Sequence, residues 1–259
     1  MSMFRLDIAD EGVSDSTIIY RYYSFEAFVN LIEMEALTFA KVSTWEDPWE
    51  NILSNYDLNF DGKVSAPLYS ADQYFFGQCW TLKEESDAMW RIYSPNKCGV
   101  KVSSTVGQLR KLTGVRRVGV SKVRYYKDLQ ELMDWVNQDN SWGFTARYKR
   151  RDFSHEEEIR VLVHPQYSTS EDFHDNTHVN LTLPISEFLD QVQIDPRAPA
   201  WVENMIKSYC ERMLPNTNVI KSELYTAQLD GKFVRKYEFS EKPISWKELA
   251  NKNQSSKEL

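Results

Sequence analysis

The stretch RDFSHEEEIRVLVH at positions 151–164 places three glutamates and an arginine side by side, residue types that could do chemistry. Read as a β-strand, alternate side chains share a face, so Glu156, Glu158 and Arg160 line up at steps of about 6.5 to 7 Å. Ile159, Val161 and Val163 then form the opposite, apolar face, to which Glu157 also turns. Such a row can align a carboxylate for acid, base or oxocarbenium-stabilising work, with a guanidinium at hand to orient it. The same row also reads as a solvent-facing strand whose Glu–Arg pair contributes under about 1 kcal/mol. If the core face alone carries the strand, Glu158→Gln leaves the fold intact.

Arg21 interrupts the apolar and aromatic run IIYRYY, and a guanidinium in such a strand needs an acceptor, either a substrate phosphate or one of the chain's own acids. Asp47 and Glu50 lie on a loop, because Pro48 continues neither a ladder nor a helix. Together with Glu156 and Glu158 they could converge on Mg²⁺, with Lys149, Arg150 and Arg151 of RYKRR holding nucleic acid, as in a metal-dependent nuclease or phosphodiesterase. RKLTGVRR, positions 110–117, is a second basic tract, and each tract also reads as a solvated surface. His174 and His178 have i, i+4 spacing, but their segment is polar and turn-rich, so that spacing loses its geometric meaning. The chain contains no nucleophile elbow, P-loop or Gly-x-Gly-x-x-Gly.

These residues must be positioned by a mixture of strands and helices. STIIYRYYS predicts a strand ending at Ser24, an N-cap for a helix whose Phe25, Phe28, Val29 and Ile32 make one buried stripe. LTFAKV, YFFGQCWTL, CGVKVSS, VNLTLP, QVQID and NVIKSELYT have strand character, and VRRVGVSKVRYY alternates in part. EESDAMWRIYS, VGQLRKLTG, DLQELMDWVNQ and PAWVENMIKSYCERM predict helices, the second closed by Gly114. Trp90 and Tyr93, three apart, share a helix face. Early alternation and later hairpins favour an α+β fold with a mixed, mostly antiparallel sheet and flanking helices over a doubly wound parallel one. One domain over 1–240 is expected, followed by a polar tail at 241–259.

A hydrophobic fraction of 42% in 259 residues supplies ample core, and a formal charge of −7 argues against a general electrostatic grip on nucleic acid. Cys79, Cys98 and Cys210 form neither a disulfide framework nor a zinc ribbon, which fits a reducing cytoplasm. No signal-like segment and no apolar run of about 18 residues occurs, so no membrane association is expected.

YRYYS, WEDPWE, AMWRIYS followed by CGVKV, and YKRRDFSHEEEIRVL occur in the order and approximate spacing of motifs in a bacterial domain-of-unknown-function family, number two-nine-seven-one. The chain resembles that family over about residues 18–200, with Glu46 standing where Asn is common before Asp47 and Pro48. The family is frequent among accessory and phage-defence genes, which implies a toxin or defence effector. The order of Arg21, then Trp90 and Tyr93, then Glu156-x-Glu158 is also similar to the arrangement in ADP-ribosyltransferases. That likeness implies NAD as substrate, without a metal, for ADP-ribose transfer or NAD hydrolysis. It makes Glu158 the catalytic carboxylate and Glu156 its partner toward a protein or nucleic-acid acceptor. Arg21 becomes the phosphate clamp, and Tyr22, Trp90 and Tyr93 the aromatic walls. Arg160 would orient Glu158 or hold a phosphate, with Asp47, Glu50, Lys149 and Arg151 as further binding residues. A non-catalytic protein that binds a nucleotide or partner is the remaining alternative.

Overall fold

The computed structural model describes residues 5–47, 49–50, 57–60, 63–67, 75–138, 144–166, 176–226 and 245. A first compact unit spans Met1–Tyr225. His174 and, apart from Ser245, the expected tail lie outside the described residues.

Among the described residues ten strands join one sheet, in the order β1 (Arg5–Ile8), β8 (Val115–Lys122), β11 (Glu158–Pro165), β6 (Phe76–Thr81), β2 (Ile18–Tyr23), β7 (Val100–Thr105), β13 (Gln191–Ile194) and β14 (Asn218–Lys221). β3 (Ala36–Lys41) pairs with β6 and with β12 (His178–Thr182). Inner neighbours run antiparallel, and parallel pairs occur at the two ends, β1 with β8 and β13 with β14. A parallel pair of β9 (Arg124–Tyr126) and β10 (Tyr148–Arg150) and a hairpin of β4 (Asp57–Phe60) and β5 (Lys63–Pro67) stand apart. The mostly antiparallel α+β architecture read from the sequence is therefore observed.

The helices are α1 (Phe25–Glu33), α2 (Asp87–Tyr93), α3 (Leu129–Val136), α4 (Ile185–Phe188) and α5 (Ala200–Met213). Ser24 caps α1 by accepting from the Ala27 amide at 3.3 Å, and Phe28, Leu31 and Ile32 turn into the core. The helix expected over VGQLRKLTG is instead a 3₁₀ helix, Val106–Lys111. Its buried Val106 and Leu109, followed by buried Leu112, recur every third residue, which is the 3₁₀ period. Gly114 does take the left-handed conformation, with φ of +73°. Among the described residues no helix is long and apolar enough to cross a membrane.

Two features of the sheet create the site. β11 is buried on both faces, so the polar face expected for its even positions is closed off, with Glu158, Arg160 and Leu162 all buried. A second small core of Val42, Phe75, Ala146 and Leu162 covers that side. In addition, β2 pairs with β7 along its whole length but meets β6 at the single pair Tyr20–Thr81. Beyond that point β6 turns to β3, pairing Gly77 with Ala40, and the sheet forks.

Candidate active site

Glu158 opens β11, while Glu156 closes a 3₁₀ turn over Arg151–Glu156 and is not in the strand, contrary to the continuous row read from the sequence. Glu157 between them adopts φ of +44°, and this left-handed step turns the chain so that both flanking carboxylates face inward. Glu157 itself is exposed and pairs with Lys83 at 3.1 Å.

Lys149, on β10, places its ammonium where three carboxylates converge, 2.7 Å from Glu156 Oε2, 3.0 Å from Glu158 Oε2 and 3.2 Å from Glu50 Oε1. Arg160, with no solvent exposure, donates from Nε to Glu158 Oε1 at 2.7 Å and from Nη1 to the Ala146 carbonyl at 2.8 Å. Its Nη2 lies 3.1 Å from Glu50 Oε1. The Glu158 amide donates to the Tyr125 hydroxyl at 2.8 Å, which anchors the backbone below the cluster.

Burial pushes the Glu156 carboxyl above its ordinary range, and Lys149 only partly offsets that. Burial acts the same way on Glu158, but the charge and hydrogen bond of Arg160, with Lys149 behind them, hold this carboxyl well below the ordinary range. Burial disfavours charge on Lys149 and Arg160 too, and the facing glutamates reverse it. Two neighbouring carboxylates thus have pKa values pushed apart, the arrangement that separates a proton carrier from a fixed anion.

The cluster forms one wall of a cavity of about 750 Å³ that opens at the fork between β2 and β6. Arg21, Asp47, Glu50, Lys149, Glu156 and Glu158 all line it, although more than 130 residues separate the first from the last. Arg21 donates from Nη1 across the fork to the Cys79 carbonyl and, among the described residues, forms no ion pair with a carboxylate. Tyr22 and Tyr93 line the cavity, stacked with ring centroids 6.2 Å apart. Arg160 sits behind the wall, orienting Glu158, and does not itself line the cavity.

Trp90 is a correction. It is fully buried and off the cavity wall, packed edge-on against Tyr22 at 4.8 Å with its indole N–H on Glu85 at 2.9 Å. The spacing of three put Trp90 and Tyr93 on one face, but the end of α2 leaves only Tyr93 exposed. The wall residue that the sequence reading passed over is Trp45, whose ring lies 4.4 Å from the Arg160 guanidinium carbon. A Cβ on Gly77 would fall 2.5 Å from that ring, so a glycine inside an apolar strand was the available signal of close approach.

The basic tracts are largely spoken for. Arg147 pairs with Asp10 at 2.7 Å, Arg150 with Asp47 at 3.1 Å, Arg110 with Asp15 at 2.9 Å and Lys111 with Glu187 at 2.8 Å. Arg151 is exposed and does not line the cavity, so RYKRR is not a continuous cationic surface, and its lysine faces inward. The converging point that a Mg²⁺ site would need is filled by the Lys149 ammonium. His178 is exposed and hydrogen-bonds the Thr177 side chain.

No protein-family model and no curated protein matches the chain. Among solved structures, the chain is similar to DarT of Thermus sp. 2.9 in complex with NAD⁺, at 12% identity and a TM-score of 0.39, over 82% of this chain and 98% of that one. The same protein in complex with ADP-ribosylated single-stranded DNA gives 12% identity and a TM-score of 0.41, over 83% and 98%. With carba-NAD⁺ bound the TM-score is 0.38, again at 12% identity, over 80% and 96%.

Proposed function

We propose that the chain is an ADP-ribosyltransferase-like enzyme that cleaves the nicotinamide–ribose bond of NAD. The observation that carries this reading is the buried cluster of Glu50, Glu156 and Glu158 with Lys149 and Arg160 in the wall of an aromatic-lined cavity that also holds Arg21. Three carboxylates against two cations leave one net negative charge, fixed in place and largely shielded from water. A fixed anion of this kind stabilises a developing cation without reorganising as the reaction proceeds.

In the proposed reaction the C–N glycosidic bond breaks and its electron pair leaves with nicotinamide, which becomes neutral. The positive charge passes to ribose C1′, facing Glu158. A nucleophile on a protein, a nucleic acid or water then bonds to C1′, and its proton passes to Glu156, whose Oε2 alone is engaged by Lys149. The raised pKa of Glu156 suits it to take that proton, while the lowered pKa of Glu158 keeps the anion ionised throughout. Arg21 receives the pyrophosphate, and Tyr22, Tyr93 and Trp45 offer faces to the flat rings. The ammonium among the carboxylates favours this reading over a metal-dependent phosphodiesterase.

The test is incubation of the purified protein with NAD, alone and with cell lysate, following nicotinamide by chromatography and ADP-ribose adducts by mass spectrometry. Release of nicotinamide above a Glu156→Gln control is expected. Absence of both nicotinamide and adducts in every mixture rejects the reading.

A further inference from the structure

Among the described residues, the fork between β2 and β6 leaves two donors without acceptors. The buried hydroxyl of Tyr23, 9% exposed, neighbours the Arg21 guanidinium, which offers only donors, so no acceptor meets its proton, and the Nε of Arg21 is likewise buried without an acceptor. They stand two residues apart on β2 and so share a face of the strand, with the Arg21 guanidinium carbon 5.2 Å from the centre of the Tyr23 ring. Both residues line the cavity. The guanidinium is otherwise occupied by an uncharged partner, the Cys79 carbonyl on the far side of the fork.

Buried polar groups are nearly always hydrogen-bonded, because an unmet donor keeps the full cost of its lost hydration. Two adjacent ones in a cavity wall, one of them on a cation, describe a place prepared for an anionic acceptor. A phosphate oxygen meets both requirements, since it carries charge and has only lone pairs to offer. Nε can donate to it while Nη1 keeps the Cys79 carbonyl, since a guanidinium carries five N–H donors.

We infer that Tyr23 and Arg21 together form an anion subsite at the fork, and that Tyr23, which nothing in the sequence distinguished from its tyrosine neighbours, is a phosphate-binding residue of the nucleotide ligand. This rests on the nucleotide reading of the cavity but not on any bond being cleaved. It divides the cavity into a phosphate end at β2 and a carboxylate end at β11.

Calorimetric titration of the full chain with ADP-ribose, with inorganic pyrophosphate and with nicotinamide provides the test, on the unaltered protein and on Tyr23→Phe, with the melting temperature of each ligand-free protein recorded. Removing an unmet hydroxyl should leave the melting temperature of the free protein unchanged or higher, whereas a hydroxyl bonded only within the fold would lower it. Affinity for ADP-ribose and pyrophosphate should fall about tenfold or more, the usual effect of deleting a hydrogen bond to a charged group, and nicotinamide binding should not change. Arg21→Lys, which keeps the charge and deletes Nε, should weaken the same two ligands. The inference is overturned if the unaltered protein binds neither phosphate ligand, or if Tyr23→Phe binds both as well as it does. If both bind, Tyr23→Phe weakens both and NAD still releases no nicotinamide, the subsite stands and the NAD-cleaving reading falls.

Discussion

At the scale of single residues, the two inward-facing glutamates have opposite effects on stability. Glu158 is the partner of a fully buried arginine, so Glu158→Gln strands a charge and should cost about 3 kcal/mol in denaturant unfolding, somewhat less where Glu50 takes over. The expectation that the isosteric amide would be silent for the fold is corrected by that burial. Glu156 has its pKa raised, so the folded state holds its proton more tightly than the unfolded chain does. Its contribution therefore favours folding at low pH and is lost as pH rises through the folded value, and Glu156→Gln should stabilise at neutral pH. Glu158, with its pKa lowered, acts the other way: its stabilisation is present above the unfolded pKa and is lost as pH falls through the folded one. For turnover, the acid limb of kcat/KM should lie above the ordinary glutamate range, where Glu156 gains its proton and the cluster loses its net charge. A limb at or below the ordinary range would remove Glu156 from the proton-carrying role.

At the scale of elements, the short steps between strands matter as much as the strands. Glu157 holds a left-handed conformation that a β-branched side chain resists, so Glu157→Val should destabilise by roughly 1–2 kcal/mol, while Glu157→Gln should do little because the side chain is exposed. Equal effects from the two substitutions would show that the backbone step is not under strain. Gly77→Ala should push the Trp45 ring off Arg160 and weaken ligand binding more than it lowers the melting temperature, which titration and thermal unfolding on one sample can separate. Period-two alternation identified Glu158 and Arg160 as facing together, which holds. It could not say that this face is covered, because the cover comes from Val42, Phe75 and Ala146, distant in sequence. Likewise Ser24 and the stripe of α1 were legible from local rules, whereas the burial of Trp90 depends on Tyr22 and Glu85 arriving from other elements.

At the scale of the whole molecule, the amino-terminal strand braces the site from a distance. β1 covers the edge of β8, and Asp10 just beyond it accepts from Arg147 and from the Lys122 amide, each at 2.7 Å. Arg147 immediately precedes β10, which carries Lys149. Asp10→Ala should therefore loosen the Lys149 side of the cavity as well as the sheet edge, lowering both the melting temperature and the affinity for ADP-ribose. Unchanged affinity at a lowered melting temperature would confine the brace to the sheet edge. The neutralised basic tracts set a second expectation at this scale, that binding to random single-stranded DNA at physiological salt is weak, which fluorescence anisotropy can measure.

The fork in the sheet has a mechanical consequence. β2 and β6 are joined by one backbone pair at Tyr20 and Thr81, and the Arg21 side chain adds the only other hydrogen bond described between these two strands, so the strands from β1 to β6 and those from β2 to β14 form two plates riveted at one backbone point over a shared core of Ile19, Phe76 and Trp80. A molecule that accepted from the Nε of Arg21 while touching the β11 cluster would act as a splint between the plates. Amides flanking the rivet should then exchange with solvent more slowly in the presence of ADP-ribose, while those deep within either plate keep the rates of the free protein.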